Sequence, residues 1–175
     1  MKEKLNELLN SGVLAELHLL SNSEGKFYCG RIVGVDDEHF AYLSYGPYGD
    51  YDGYHIITIA DISEIAVETK YLNGLEIVIG ENKIEPVIFK TDKIVSEMLN
   101  LSLEQKKIVS FFADNADDWE NGFITEINED VIKLDMVDEF GESDGKKTVI
   151  IEDIMALDFD TRQVRKVEKL YFSKH

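Results

Sequence analysis

The sequence predicts a mostly β protein with short helices, arranged as two tandem five-stranded barrels, each preceded by a short helix. Three observations predict it. Slid against itself by 92 residues, the chain aligns its two halves without a gap. Short alternating apolar runs between Gly, Asp and Asn turns read as strands. A stripe of apolar residues at helical spacing stands ahead of each run of strands.

The repeat rests on residue identity. Gly30 meets Gly122, Ile32 meets Ile124, and Gly49, Asp52 and Gly53 meet Gly141, Asp144 and Gly145. Ile59, Asp61 and Ile62 meet Ile151, Asp153 and Ile154, while Thr69 meets Thr161 and Glu76 meets Glu168. These are 10 identities over the 49 pairs from Gly30/Gly122 to Val78/Leu170, where chance at ordinary composition gives about three. Tyr48/Phe140, Ile57/Val149 and Ile65/Leu157 are conservative exchanges. Upstream, the same offset sets Phe27 against Trp119 and Leu19-Leu20 against Phe111-Phe112.

Each unit begins with a helix. Leu5, Leu8 and Leu9 share one helical face that Ser11-Gly12 ends. Ile94, Val95, Met98 and Leu99 form the matching stripe, with Asp92 as its expected cap. Leu14 to Leu20 and Lys106 to Ala113 read as first strands, Phe27 to Val35 and Trp119 to Ile127 as second strands. Gly30 and Gly122 inside the latter predict the bends that a tightly curved barrel needs. Acidic turns follow, then third strands with Phe40 and Tyr42, or Ile132 and Leu134, on one face. Asp52-Gly53 and Asp144-Gly145 signal hairpins into fourth strands carrying Ile57 and Ile59, or Val149 and Ile151. Asp61 and Asp153 are expected to cap one tight helical turn, and fifth strands run through Val67 and Phe159. Leu75, Ile77 and Ile79, then Ile84, Val87, Ile88 and Phe89, alternate like a hairpin, with Pro86 suiting an edge. The expected organisation is therefore a first repeat over 1–71, a connecting hairpin over 72–91 and a second repeat over 92–175.

Five short strands with a tight turn before the last is a layout similar to small Sm-like and Tudor-like barrels, and the leading helix favours the Sm-like form. GKFYCGRIVGVDDEHFAYL resembles the first Sm motif through Gly25, Phe27, Gly30, Ile32 and Asp36. DDWENGFITEINEDVIKL keeps Trp119, Gly122 and Ile124 but has Asn128 in place of the Asp, and IITIADISEIAV loosely resembles the second motif. The resemblance implies a tandem Sm-like protein, and in that family an Asn and an Arg-Gly pair hold RNA bases. Phe40 and Ile132 stand at the Asn position, and Ala60-Asp61 and Glu152-Asp153 at the Arg-Gly position. The RNA pocket is therefore not carried over, and fold alone assigns no function.

Composition narrows the classes further. The formal net charge is -17, from 18 Lys plus Arg against 35 Asp plus Glu. Such a surface repels phosphate backbones and anionic lipid and favours basic partners. One cysteine, Cys29, excludes an intramolecular disulfide framework. MKEKLNELLNSG lacks the layout of a signal peptide, and no apolar run nears the ~20 residues of a membrane span. A cytoplasmic protein without membrane attachment is the expectation.

The loop YGPYGDYDGYH is the one decorated stretch. Tyr45, Tyr48, Tyr51 and Tyr54 recur every third residue, against Val137, Phe140, Ser143 and Lys146 in the second copy. Tyrosine offers rigid contact area and a hydroxyl, so these four are the candidate partner-binding residues, with packing on the barrel edge as the alternative. Asp50-Tyr51-Asp52-Gly53 lacks the further ligands and closing Glu of a calcium loop. His18, His39, His55 and His175 have no ligand spacing, and His39 is expected to face solvent in its polar turn. Cys29 reads as a buried thiol rather than a nucleophile, and acid runs such as Asp36-Asp37-Glu38 read as solvated turns. Arg162, Arg165, Lys166, Lys169 and Lys174 form a basic C-terminal cluster. No catalytic residue, cofactor site or metal site is assigned. The function expected is a non-enzymatic acidic scaffold that binds a protein, basic in character, as a monomer or homodimer. The alternatives are an Sm-like RNA-binding protein, which the charge disfavours, and an inhibitor or nucleic-acid mimic of a basic protein.

Overall fold

The structure, a computed structural model, describes residues 1–21, 25–80, 84–114 and 116–174; His175 lies outside them. Among the described residues, ten antiparallel strands and four helices divide into two compact units, Met1–Ile94 and Val95–His175, with five strands in each.

In the first unit the order along the chain is α1 (Lys2–Ser11), β1 (Leu14–Leu19), β2 (Tyr28–Val35), β3 (His39–Tyr45), β4 (Tyr51–Thr58), a 3-10 turn (Ile59–Asp61), β5 (Ile62–Val67) and α2 (Lys70–Ile79). α1 buries Leu5 and Leu8 and ends where the Gly12 N–H reaches the Leu8 carbonyl. The strands lie side by side as β5-β1-β2-β3-β4. Alternation sends Ala15, Leu17, Leu19, Ile32, Phe40, Tyr42 and Ile62 inward, where they close on Leu5 and Leu8. α2 begins at Thr69, whose hydroxyl accepts the Leu72 N–H at 3.1 Å, and buries Leu72, Leu75 and Ile79.

The second unit repeats this plan: α3 (Ile94–Gln105), β6 (Ile108–Ala113), β7 (Glu120–Ile127), β8 (Val131–Val137), β9 (Ser143–Ile150), a 3-10 turn (Ile151–Asp153), β10 (Ile154–Phe159) and α4 (Arg162–Lys174). Its strands lie as β10-β6-β7-β8-β9. Thr161 opens α4 as Thr69 opens α2, accepting the Val164 N–H at 3.2 Å, and Val164 and Val167 pack on Ile108 and Val137.

Several expectations are corrected. The hairpin over 72–91 is not formed: most of its first half is the end of α2, and residues 84–90 form no strand. Leu72, Leu75 and Ile79 bury one face at helical spacing, and this helix is the counterpart of α4 at the 92-residue offset. The gapless alignment fails at the first strands. Ala15 pairs with Gly30 and Val109 with Gly122, so β1 and β6 are offset by 94. The bends lie not at Gly30 and Gly122 but at register shifts after Ile32 and Ile124. Gly30 serves close strand approach instead, since a Cβ there would stand 2.6 Å from the Leu43 carbonyl oxygen. Asp61 and Asp153 end their 3-10 turns rather than cap them, and the Asp61 carboxylate accepts the Ser21 N–H and hydroxyl at 3.0 and 2.6 Å. In each unit the ladders form an open run of five strands, not a hydrogen-bonded closed barrel.

Candidate functional site

The β3–β4 loop carries the four candidate tyrosines, and the fold separates them. Tyr45 ends β3, is buried, and pairs in register with the half-buried Tyr51. Burial pushes the Tyr45 phenol up, against the opposing pull of the Arg31 guanidinium beside it. Tyr54 is buried too: its hydroxyl accepts the Val87 N–H at 3.1 Å and its ring meets Phe89 edge-on at 6.1 Å. Tyr48 alone projects, 84% exposed.

The loop tip has the same construction in both units. The Gly49 N–H reaches the Gly46 carbonyl at 2.9 Å, and the Gly141 N–H reaches Asp138 at 3.1 Å. Both glycines have left-handed φ, 74° and 76°, and both press on the end of the following helix. An added Cβ would meet the Ile79 nitrogen at 2.9 Å, or the Tyr171 nitrogen at 2.5 Å. The tip is thereby pinned to its helix, with an aromatic held outward just before the glycine: Tyr48 in one copy and Phe140, 62% exposed, in the other. The tyrosine periodicity hid this. The relevant signal was the conservative pair Tyr48/Phe140 in the repeat.

A groove of about 350 Å³ runs beside α1 and α2, lined in part by Gly12, Leu14, Arg31, Asn73 and Glu76. Arg31, with a side chain 7% exposed, grips both Glu76 oxygens at 2.6 and 2.7 Å and donates to the Gly12 carbonyl. A guanidinium engaged in this way holds α2 to the sheet. In the second unit Phe123 replaces Arg31, and Glu168 accepts the Ile108 N–H at 3.2 Å.

A second groove of about 310 Å³ lies on β8 and β9 beside Lys133, Lys146 and Lys147. Each lysine has a carboxylate partner: Glu126 at 2.7 Å, Asp135, and Glu120 at 2.6 Å respectively. Lys133 and the Asn128 amide hold Glu126 below the usual carboxylate range. The basic C-terminal residues belong to α4, where Lys174 reaches the Phe140 carbonyl and Glu142, both at 2.9 Å.

On the outer face of β1 and β2, Glu16 accepts the Thr69 hydroxyl and stands opposite Cys29. Burial first, and Glu16 second, push the Cys29 thiol up to about 12, which favours the protonated thiol at neutral pH. The turn at Asp36 differs from its expected solvated state. Asp36 is buried and accepts the N–H groups of Glu38, His39 and Ile94 at 2.9, 2.6 and 3.2 Å, and the His39 side chain is largely buried beside it. Among the described residues, no group of three or more His, Cys, Asp or Glu side chains is placed to hold a metal ion. Among the same residues, no helix is long and apolar enough to cross a membrane.

One surface escaped the sequence reading. Phe112 is half-buried near the end of β6, and its ring lies 6.2 Å from that of Trp119. Trp119 is 42% exposed. The repeat pairs Phe27/Trp119 and Leu20/Phe112 pointed there.

No family model, curated protein or solved structure matches the chain.

Proposed function

We propose that this chain is a non-enzymatic acidic interaction module that binds a protein partner, built on two tandem five-stranded units of the Sm-like type. The observation that carries the function is the pair Tyr48 and Phe140. Both units spend an exposed aromatic at the same loop tip, pinned by the same glycine geometry. Aromatics held outward on a pinned loop offer the rigid, large contact area that anchors protein interfaces. The Sm-like fold is supported by the strand order shared by both units, the leading helix, and the 3-10 turn between the fourth and fifth strands.

RNA binding in the Sm manner is the weaker reading. Phe40 and Ile132, at the place of the base-holding Asn, are core residues with no exposed surface. A net charge of -17 opposes a phosphate backbone.

The test is co-purification with wild type and with a Tyr48→Ala/Phe140→Ala double variant whose fold is checked by circular dichroism. A stoichiometric protein retained by wild type and lost by the variant is the expected result. Retention by both, or capture of a short single-stranded oligonucleotide in place of a protein, overturns the proposal.

A further inference from the structure

We propose that the face at Phe112 and Trp119 is a docking surface for a basic peptide segment, with an arginine or lysine side chain laid against the indole. The proposal rests on the protein-binding reading above and names the chemistry of the partner.

The aromatic pair sits beside concentrated negative charge. The turn from β6 to β7 carries Asp114, Asp117 and Asp118, all exposed. The Asp118 carboxylate accepts the N–H of Trp119 itself at 2.8 Å, which places that charge against the indole's own backbone. The Asp114 N–H donates to the Asp153 carbonyl at 2.7 Å, tying the exposed Asp153 of the 3-10 turn to the same end of the sheet. Between Lys107 and Lys133 the sequence contains no lysine or arginine. A cation arriving here meets carboxylates and the electron-rich face of an indole. Arginine suits the site best, since a planar guanidinium stacks on an aromatic ring while donating from its edge.

The first copy shows that the five-stranded fold does not require this arrangement. At the 92-residue offset Phe27 stands for Trp119 and Lys26 stands for Asp118. Phe27 packs between His18 and Tyr71 at 5.3 and 5.5 Å. The aromatic is shared, while the charge beside it is reversed.

Trp119 is the sole tryptophan of the chain, so its emission reports this face alone. The probe is a fluorescein-labelled oligoarginine peptide, titrated into the full-length protein at low salt and followed by anisotropy and, with unlabelled peptide, by Trp119 emission. The expected result is saturable binding in which both signals share one midpoint. Asp117→Asn/Asp118→Asn should weaken it about fivefold, whereas the equal charge change Glu129→Gln/Asp130→Asn should weaken it less than about twofold. Binding seen by anisotropy without a Trp119 response, or equal losses in the two double variants, overturns this site and leaves the protein-binding reading standing. Absence of any peptide binding also overturns it, and the Tyr48/Phe140 experiment then decides the wider reading by itself.

Discussion

Cys29 shows how a single position is set by its neighbours. Its side chain is buried on β2 opposite Glu16, and burial, then that carboxylate, push the thiol from 9.0 up to about 12. At pH 8 the native protein should therefore react with iodoacetamide at least ~100-fold more slowly than the urea-unfolded chain. Comparable rates would mean that Glu16 and the packing around Cys29 do not hold in solution. Linkage follows the same direction. The folded state keeps a proton that the unfolded chain releases, so this contribution to stability is present below the ordinary thiol value and fades as pH climbs toward about 12. Burial of Cys29 was legible from its place in an apolar strand. Its charge environment was not, because Glu16 and Cys29 lie in different strands and only the β1–β2 register brings them together. The same limit applies to Asp36, whose three N–H donors include one from Ile94.

At the scale of elements, the repeat was readable and one of its parts was misread. In LEIVIG, the residues Leu75, Ile77 and Ile79 alternate like a strand, yet Leu72, Leu75 and Ile79 are the buried face of a helix. Short apolar runs admit both periods. The pairs Thr69/Thr161 and Glu76/Glu168 carried the deciding information, since a shared cap and a shared acid imply a shared helix. Ends of elements obey the same logic with different residues: Gly12 and Lys106 both adopt left-handed φ, 63° and 54°, just after α1 and α3. The acids of α2 and α4 now hold different partners, which leads to an asymmetric prediction. Glu76→Ala strands the buried Arg31 charge and should cost about 2–4 kcal/mol. Glu168→Ala leaves one backbone N–H without its acceptor and should cost about 1–2 kcal/mol. Urea unfolding of the two variants checks the order, and an equal or reversed order would mean that Arg31 finds another carboxylate.

For the whole molecule, charge is the dominant unbalanced term. Surface ion pairs such as Lys133–Glu126, Lys146–Asp135 and Lys147–Glu120 cannot balance the charge, since 35 acids face only 18 basic residues. Exposed pairs of this kind contribute little each, because water and salt screen them. The excess negative charge repels itself over the surface. Added salt screens both terms, but repulsion acts among many distant charges whereas each pair acts at contact. With a Debye length of about 30 Å at 0.01 M and about 10 Å at 0.1 M, the long-range repulsion is screened first. The melting temperature at pH 7 should therefore rise between 0.01 and 0.2 M sodium chloride. Lowering the pH to 5.5 at low salt should leave Glu126 ionised, because Lys133 holds it below the usual range, so that pair persists there and is lost only as pH falls through its depressed value. A melting temperature that instead falls with salt at pH 7 would show that the ion pairs outweigh the repulsion. That result would also weaken the case for a basic partner, because a chain whose charges are already satisfied at its own surface has less to gain from a cationic one.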